Sequence, residues 1–307
     1  MKRHSFLSFN GKLASCFFFA FSVCLLPFSN AQARQTVSAQ FIGSQGFFIE
    51  GAGKKILLDS ALPSKTSSGI SDEGYILPPE DLRQKIESGA KPYDGIDLIT
   101  VSHAHDDHFF PATVYGAMKN SPKAWLVASP EAYAAILAKE KGLDAFKDRI
   151  WIPDLGIKAT EEREINGIPL GVTVTRHGYS DGSMRLMTFV FDLAGMRFLH
   201  LNEYNRLAEK DYDTIGFNGE RADVAFLSYG YVTNGDKLAI LRTKLMPKFA
   251  VISHVDGASP ATLSSIQAAM DALSPSLPMA MPRRSLDSLV FWKSEDGGIK
   301  GEIARAP

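Results

Sequence analysis

The chain has 307 residues, 45% hydrophobic and 22% charged, which suits a globular protein with a sizeable core and excludes a disordered one. Its formal net charge of -1, from 33 basic and 34 acidic residues, argues against a nucleic-acid partner.

The first segment is not fold material. Lys2, Arg3 and Lys12 form a positive leader, residues 13–28 (LASCFFFAFSVCLLPF) an apolar run, and Ala31-Gln32-Ala33 an A-x-A cleavage site. A membrane anchor is the competing reading, but the run is short of the ~20 residues a span needs and carries Pro27 near its end. Residues 1–33 are therefore expected to be a cleaved signal peptide, and residues 34–307 one exported domain, periplasmic or secreted, with no stable membrane span. Leu13-Ala14-Ser15-Cys16 precedes the Phe-rich core of the leader instead of following it, which speaks against lipidation. Cleavage removes three basic residues and no acidic ones, leaving 30 against 34, a net charge of -4. Cys16 and Cys24 leave with the leader, so the mature chain holds no thiol for a disulfide, nucleophile or ligand.

Residues 40–49 (QFIGSQGFFI) and 55–58 (KILL) read as two strands joined at Gly51-Ala52-Gly53, with Asp59 directly after the second. Residues 60–94 are rich in Pro, Gly and Ser around one short helix near 79–88. A loop of that length in a compact domain is commonly functional or a lid, with Tyr75 and Leu77 as its apolar face. Residues 96–101 read as a buried strand, 110–119 as a helix, 124–128 as a strand, and 130–141 as an amphipathic helix capped by Ser129.

Beyond these, residues 165–174 suggest two short strands leading to His177. Residues 185–192 and 196–201 form a hairpin around Leu193-Ala194-Gly195. Strands follow at 224–228, 249–253 and 286–292, helices at 235–245 and 260–273, and the last of the strands closes the chain. Strands and helices mix without a strict βαβ alternation, which gives an α/β (α+β) class without a doubly wound sheet.

Three of the seven histidines fall between residues 103 and 108, at the end of the buried strand. Alternation sends His103 and His105 to one side. Asp107 and His108, after the turn, can aim at a neighbouring point. Neutral imidazole and carboxylate donors in this number suit Zn²⁺, with iron or manganese as alternatives; the bland reading is a solvated polar loop. No G-x-S-x-G, G-x-G-x-x-G or Walker A segment occurs, so a serine nucleophile or nucleotide cofactor is not expected.

The segment His103-Ala104-His105-Asp106-Asp107-His108 resembles the H-x-H-x-D-H signature of the metallo-β-lactamase superfamily. Thr175-Arg176-His177-Gly178 and the strand-end His254 are similar to that family's later histidine positions, and the opening strands with Asp59 to its first hairpin. The resemblance spans essentially the whole mature chain. It implies a four-layer αββα sandwich with a dinuclear centre of two zinc ions. His103, His105 and His177 would hold one ion, and Asp107, His108 and His254 the other. Asp107 would also act catalytically on the proton, and Asp59 and Asp106 would steady ligand histidines. His200 is read as core or a supporting residue.

One departure stands out. Where the family places Gly-Asp after His-Leu, with the Asp bridging both metals, this chain has Asn202-Glu203. Glu203 offers a carboxylate one methylene further out. The expectation is thus a metal-dependent hydrolase of a small-molecule ester, lactone, amide or phosphodiester; the alternative is a metal- or ligand-binding protein with little turnover. Tyr179, Tyr204, Tyr229, Tyr231 and Asn234 are candidates for the pocket rim or for packing, and Arg283-Arg284 for an anion contact or plain solvation. No oligomeric state is written in the sequence.

Expression in a secreting host tests the leader: N-terminal sequencing and intact mass of the exported protein should place its start near Arg34. Retention of residues 1–33 on the mature protein would contradict cleavage.

Overall fold

The computed structural model describes residues 35–64, 75–177, 184–202, 209–213, 221–255 and 259–306. Among these, the strands form two sheets. The first contains β1 (Thr36–Gly43), β2 (Gly46–Gly51), β3 (Lys54–Leu58), β4 (Leu98–Val101), β5 (Trp125–Ala128) and β6 (Ile150–Trp151). The second contains β7 (Thr160–Ile165), β8 (Ile168–Arg176), β9 (Arg185–Leu193), β10 (Met196–Leu201), β11 (Val224–Ser228), β12 (Phe249–Ser253) and β13 (Met279–Ala280). The chain then returns to the first sheet with β14 (Ser288–Lys293) and β15 (Ile299–Ala304), giving the orders β15-β14-β1-β2-β3-β4-β5-β6 and β13-β12-β11-β10-β9-β8-β7.

Helices α1 (Glu80–Ser88), α2 (Pro111–Asn120) and α3 (Pro130–Lys139) cover the outer face of the first sheet through Leu82, Ile86, Val114, Met118 and Ile136. Helices α4 (Gly230–Thr233), α5 (Gly235–Ile240) and α6 (Pro260–Leu273) cover the second through Tyr231, Ile240, Ile266 and Met270. Ser129 caps α3 by accepting from the Ala132 N–H at 3.2 Å, as its position before the Pro-led helix predicts.

The layer between the sheets is aromatic. Phe226 packs on Phe47 with ring centroids 4.5 Å apart, and lies 6.4 Å from Phe198 and 6.5 Å from Phe291. Side chains alternate along each strand, so Phe198 and Phe226 face this shared core while Leu199 and Leu227 face the helices. The result is the four-layer αββα sandwich.

The reading of the elements needs four corrections, the first at residues 165–174, which are not two short strands: Ile165 ends β7, and Ile168–Arg176 form the single strand β8. Residues 40–49 are not one strand: they break at Ser44-Gln45, where Gly43 pairs with Gly46 across a two-residue hairpin. The turn is only two residues long and lies between two apolar runs, so the segment reads as one strand despite Gly43 and Gly46. The strand at 286–292 does not close the chain, because β15 pairs antiparallel with it over Ser288–Lys293. Its sequence, IKGEIA, buries only one side and lacks a strong apolar pattern. Residues 235–245 are α5 followed by one π-turn at Leu241–Leu245. No helix among the described residues is long and apolar enough to cross a membrane.

The topology gathers one end of the molecule. Strands β3, β4 and β5 run parallel, as do β10, β11 and β12. Asp59 follows β3, the histidine turn follows β4, His177 follows β8 and His254 follows β12. All of these junctions lie at the same edge of the paired sheets.

Phe226→Ala removes the ring shared by both sheets and should cost about 3–5 kcal/mol of folding stability, read by urea unfolding. A loss below about 1 kcal/mol would show that this layer collapses around the gap or was never tightly packed.

Candidate metal centre

The histidine turn is buried at its base: His103 and His108 are fully inaccessible and Asp107 nearly so, while Asp106 is exposed. His103 Nε2 and His105 Nδ1 lie 3.0 Å apart. The His177 ring stands 5.0 Å from that of His103 and 4.5 Å from that of His105. His108 Nε2 is 3.3 Å from His254 Nε2, and Asp107 Oδ2 is 3.5 Å from the first and 3.2 Å from the second. The six side chains therefore converge as two triads, His103–His105–His177 and Asp107–His108–His254, each with its donor atoms within 4.8 Å of one another. His103 and His108 join the triads, their rings 4.0 Å apart.

Asp59 sets which nitrogen each of these two rings presents. Its Oδ1 accepts the Ser102 N–H at 3.0 Å, and its Oδ2 accepts His108 Nδ1–H at 3.0 Å and the Ser102 hydroxyl. A carboxylate only accepts, so His108 must donate from Nδ1 and keeps its lone pair on Nε2 when neutral. Ser102 has one hydroxyl proton and spends it on Asp59. Its oxygen can then only accept from His103 Nδ1, 3.0 Å away, which leaves the His103 lone pair on Nε2. Both lone pairs point toward the triads. The closeness of Asp59 to His103 and His108 would also permit a third group, but its oxygens are already taken up by these donors.

The electrostatics follow. Burial pushes the Asp59 carboxyl up, but the hydrogen bond from His108, the electrostatic pull of the neighbouring imidazoles and the Ser102 hydrogen bond outweigh it and hold the group below its ordinary value. Burial likewise pushes His108 down, and the Asp107 and Asp59 carboxylates reverse this to a net rise. In the Asp107–His108–His254 group, two imidazole nitrogens and a carboxylate oxygen lie within 4.8 Å of one another, and such donors fit zinc. His200, fully buried, is pushed down to about 4, mainly by burial, and stays neutral. Its Nε2 lies 3.2 Å from the Gln45 carbonyl, away from both triads, as a supporting residue should be.

Asp106 makes no hydrogen bond to a histidine among the described residues; it lies at the rim of a separate apolar cavity with Phe109 and Phe110. The geometry of the turn points it outward, so its expected supporting role falls to Ser102. Tyr75 packs its ring 4.9 Å from His254, while Leu77 is buried and offers no open face. Tyr231 is buried against Tyr212 and Lys237 rather than on a rim, and Asn234 caps α5. Arg283 donates to Gln267 on α6 at 2.8 Å. Asn202 is fully buried and donates from Nδ2 to the Met187 carbonyl at 2.7 Å. Glu203, Tyr179, Tyr204 and residues 65–74 lie outside the described residues. Ser44 and Ser102 were missed, because a serine carries no signal until a distant carboxylate is placed against it.

An αββα sandwich with two histidine-rich triads at one sheet edge defines a metal-dependent hydrolase of the metallo-β-lactamase type. The chain belongs to that superfamily: the family described as Beta-lactamase superfamily domain matches residues 38–252. It is similar to a UPF0173 metal-dependent hydrolase from Pyrococcus abyssi, 27% identical over 223 residues, which are 71% of this chain and 84% of that protein. A solved metallo hydrolase from Ignicoccus hospitalis superposes with a TM-score of 0.54 at 17% identity, covering 83% of this chain and 98% of its own. Zinc-bound PqqB from Methylobacterium extorquens gives a TM-score of 0.51 at 14% identity, over 79% of this chain and 86% of its own. At such identities the structural likenesses speak for the fold alone.

Asp59→Asn should weaken zinc affinity by about 10–100-fold, since an amide cannot accept from every present donor and frees both rings to turn. Competition with a chelator measures this. Unchanged affinity would show that packing alone orients His103 and His108.

Proposed function

We propose that the protein is an exported zinc-dependent hydrolase that cleaves an ester, lactone, amide or phosphodiester bond in a small molecule. The observation that carries this reading is the pair of triads sharing one sheet edge, three imidazoles in one and two imidazoles with Asp107 in the other. Export rests on the signal-like residues 1–33, and zinc on the imidazole and carboxylate donor set.

In this reading His103, His105 and His177 hold one ion and Asp107, His108 and His254 the other. When bound, a zinc pair supplies Lewis acidity and brings the ionisation of water down to about pH 7. The remaining work belongs to the chain. Asp59, directly and through Ser102, keeps the His108 and His103 lone pairs turned inward. The Asp107 carboxylate, at the junction with His254, takes the proton of the attacking water and passes it to the leaving group. Glu203 contributes a further carboxylate from the segment after β10. The partly exposed Tyr75 ring beside His254 walls one side of the substrate space.

Elemental analysis beside chromogenic lactone, ester, phosphodiester and β-lactam substrates tests the proposal. Two zinc equivalents and turnover of at least one substrate are expected, with Glu203→Ala slower and Glu203→Asp active. Bound metal with no turnover across the panel would favour a binding protein. Absence of bound metal after zinc loading would remove the hydrolase reading altogether.

A further inference from the structure

The two-residue turn between β1 and β2 lies against the second triad. Ser44 has φ 46° and is the first central residue of this hairpin; Gln45 is not among the positive-φ residues. That pattern is the one in which glycine is favoured at the first position. A serine there bears a steric cost that glycine would avoid. The difference between the two residues is the hydroxymethyl group, and its Oγ donates to Asp107 Oδ2 at 3.0 Å, in a fully enclosed contact.

The turn is itself held on every side. Ser44 N–H donates to the Ile76 carbonyl at 2.7 Å, and Gln45 Nε2 donates to the Leu201 carbonyl at 3.2 Å. A Cβ on Gly46 would meet the Asp59 carbonyl oxygen at 2.4 Å, so the backbone is pressed against the end of β3. The Ser44 carbonyl in turn accepts the N–H of His254 at 2.9 Å, and His254 also has a left-handed backbone, φ 54°. One residue thus touches two members of the same triad, one by side chain and one by backbone.

We propose that Ser44 is a positioning residue for the cation held by Asp107, His108 and His254. Its hydroxyl fixes the rotation of the Asp107 carboxylate, and its carbonyl fixes where His254 leaves β12. The proposal rests on the two-cation reading above and adds the residue that presets the second site from the β1–β2 turn, touching Asp107 of its own sheet and His254 of the other. The strain at Ser44 persists because the hydroxyl is needed there.

Ser44→Gly and Ser44→Ala separate this role from a turn-forming one. Metal-free protein is titrated with Zn²⁺ against a competing chelator, and its thermal melting is followed in parallel. Wild type should take two equivalents. Both variants should keep one at wild-type affinity and bind the other at least about tenfold more weakly. Ser44→Gly should melt higher than wild type, so its loss of affinity cannot come from a weakened fold. Wild-type affinity for both equivalents in either variant would overturn the role of the hydroxyl. Fewer than two equivalents in the wild type would instead overturn the two-cation reading, and this proposal with it.

Discussion

A single buried carboxylate organises the functional end of this molecule. Asp59 accepts from the Ser102 backbone, the Ser102 hydroxyl and His108 Nδ1. Each of these bonds has only one possible direction, because a carboxylate cannot donate. That constraint passes through Ser102 to His103 and decides which nitrogen both rings turn toward the triads. A buried carboxylate without donors would be costly; here the donors are the very groups whose orientation matters, so satisfying Asp59 and arranging the site are one event.

The fold supplies the convergence. Six side chains from three separate strand ends, the ends of β4, β8 and β12, could not meet unless those ends lay together. The parallel runs β3-β4-β5 and β10-β11-β12 put them at one edge of the two sheets. The aromatic layer of Phe47, Phe198, Phe226 and Phe291 holds the sheets face to face beneath that edge. Ser44-Gln45 then reaches across, bonding to Asp107, Leu201 and His254. Three non-glycine residues of this region, Ser44, Asp59 and His254, have positive φ. Strain gathered around a cluster of donors is what a site pre-shaped for a ligand requires.

Much of this was legible in the sequence, for identifiable reasons. The histidine turn stands out because three imidazoles in six positions have no common structural use, and His177 and His254 because few other histidines exist. Buried strands such as β11 and β12 announce themselves as short apolar runs, and α3 by its Ser129 cap. The hairpin at Ser44-Gln45 is easily read through, although Gly43 and Gly46 flank it, because the turn is only two residues long and the runs on either side are both apolar. Strand β15 stayed hidden because it is half exposed and contains a glycine. Asp106 was given the supporting role that Ser102 holds, since adjacency in sequence says nothing about which neighbour points inward once the chain turns. Long-range hydrogen bonds, such as those of Ser44 and Asp59, have no local pattern at all.

The central claim is that Asp59 orients the rings while the two triads take the cations. Anomalous diffraction at the zinc absorption edge, on crystals of the zinc-loaded protein, tests it most directly. The account predicts two peaks, one enclosed by His103, His105 and His177 and one by Asp107, His108 and His254, with Asp59 bonded to His108 and Ser102. A peak coordinated by Asp59 itself, or none between the triads, would contradict it.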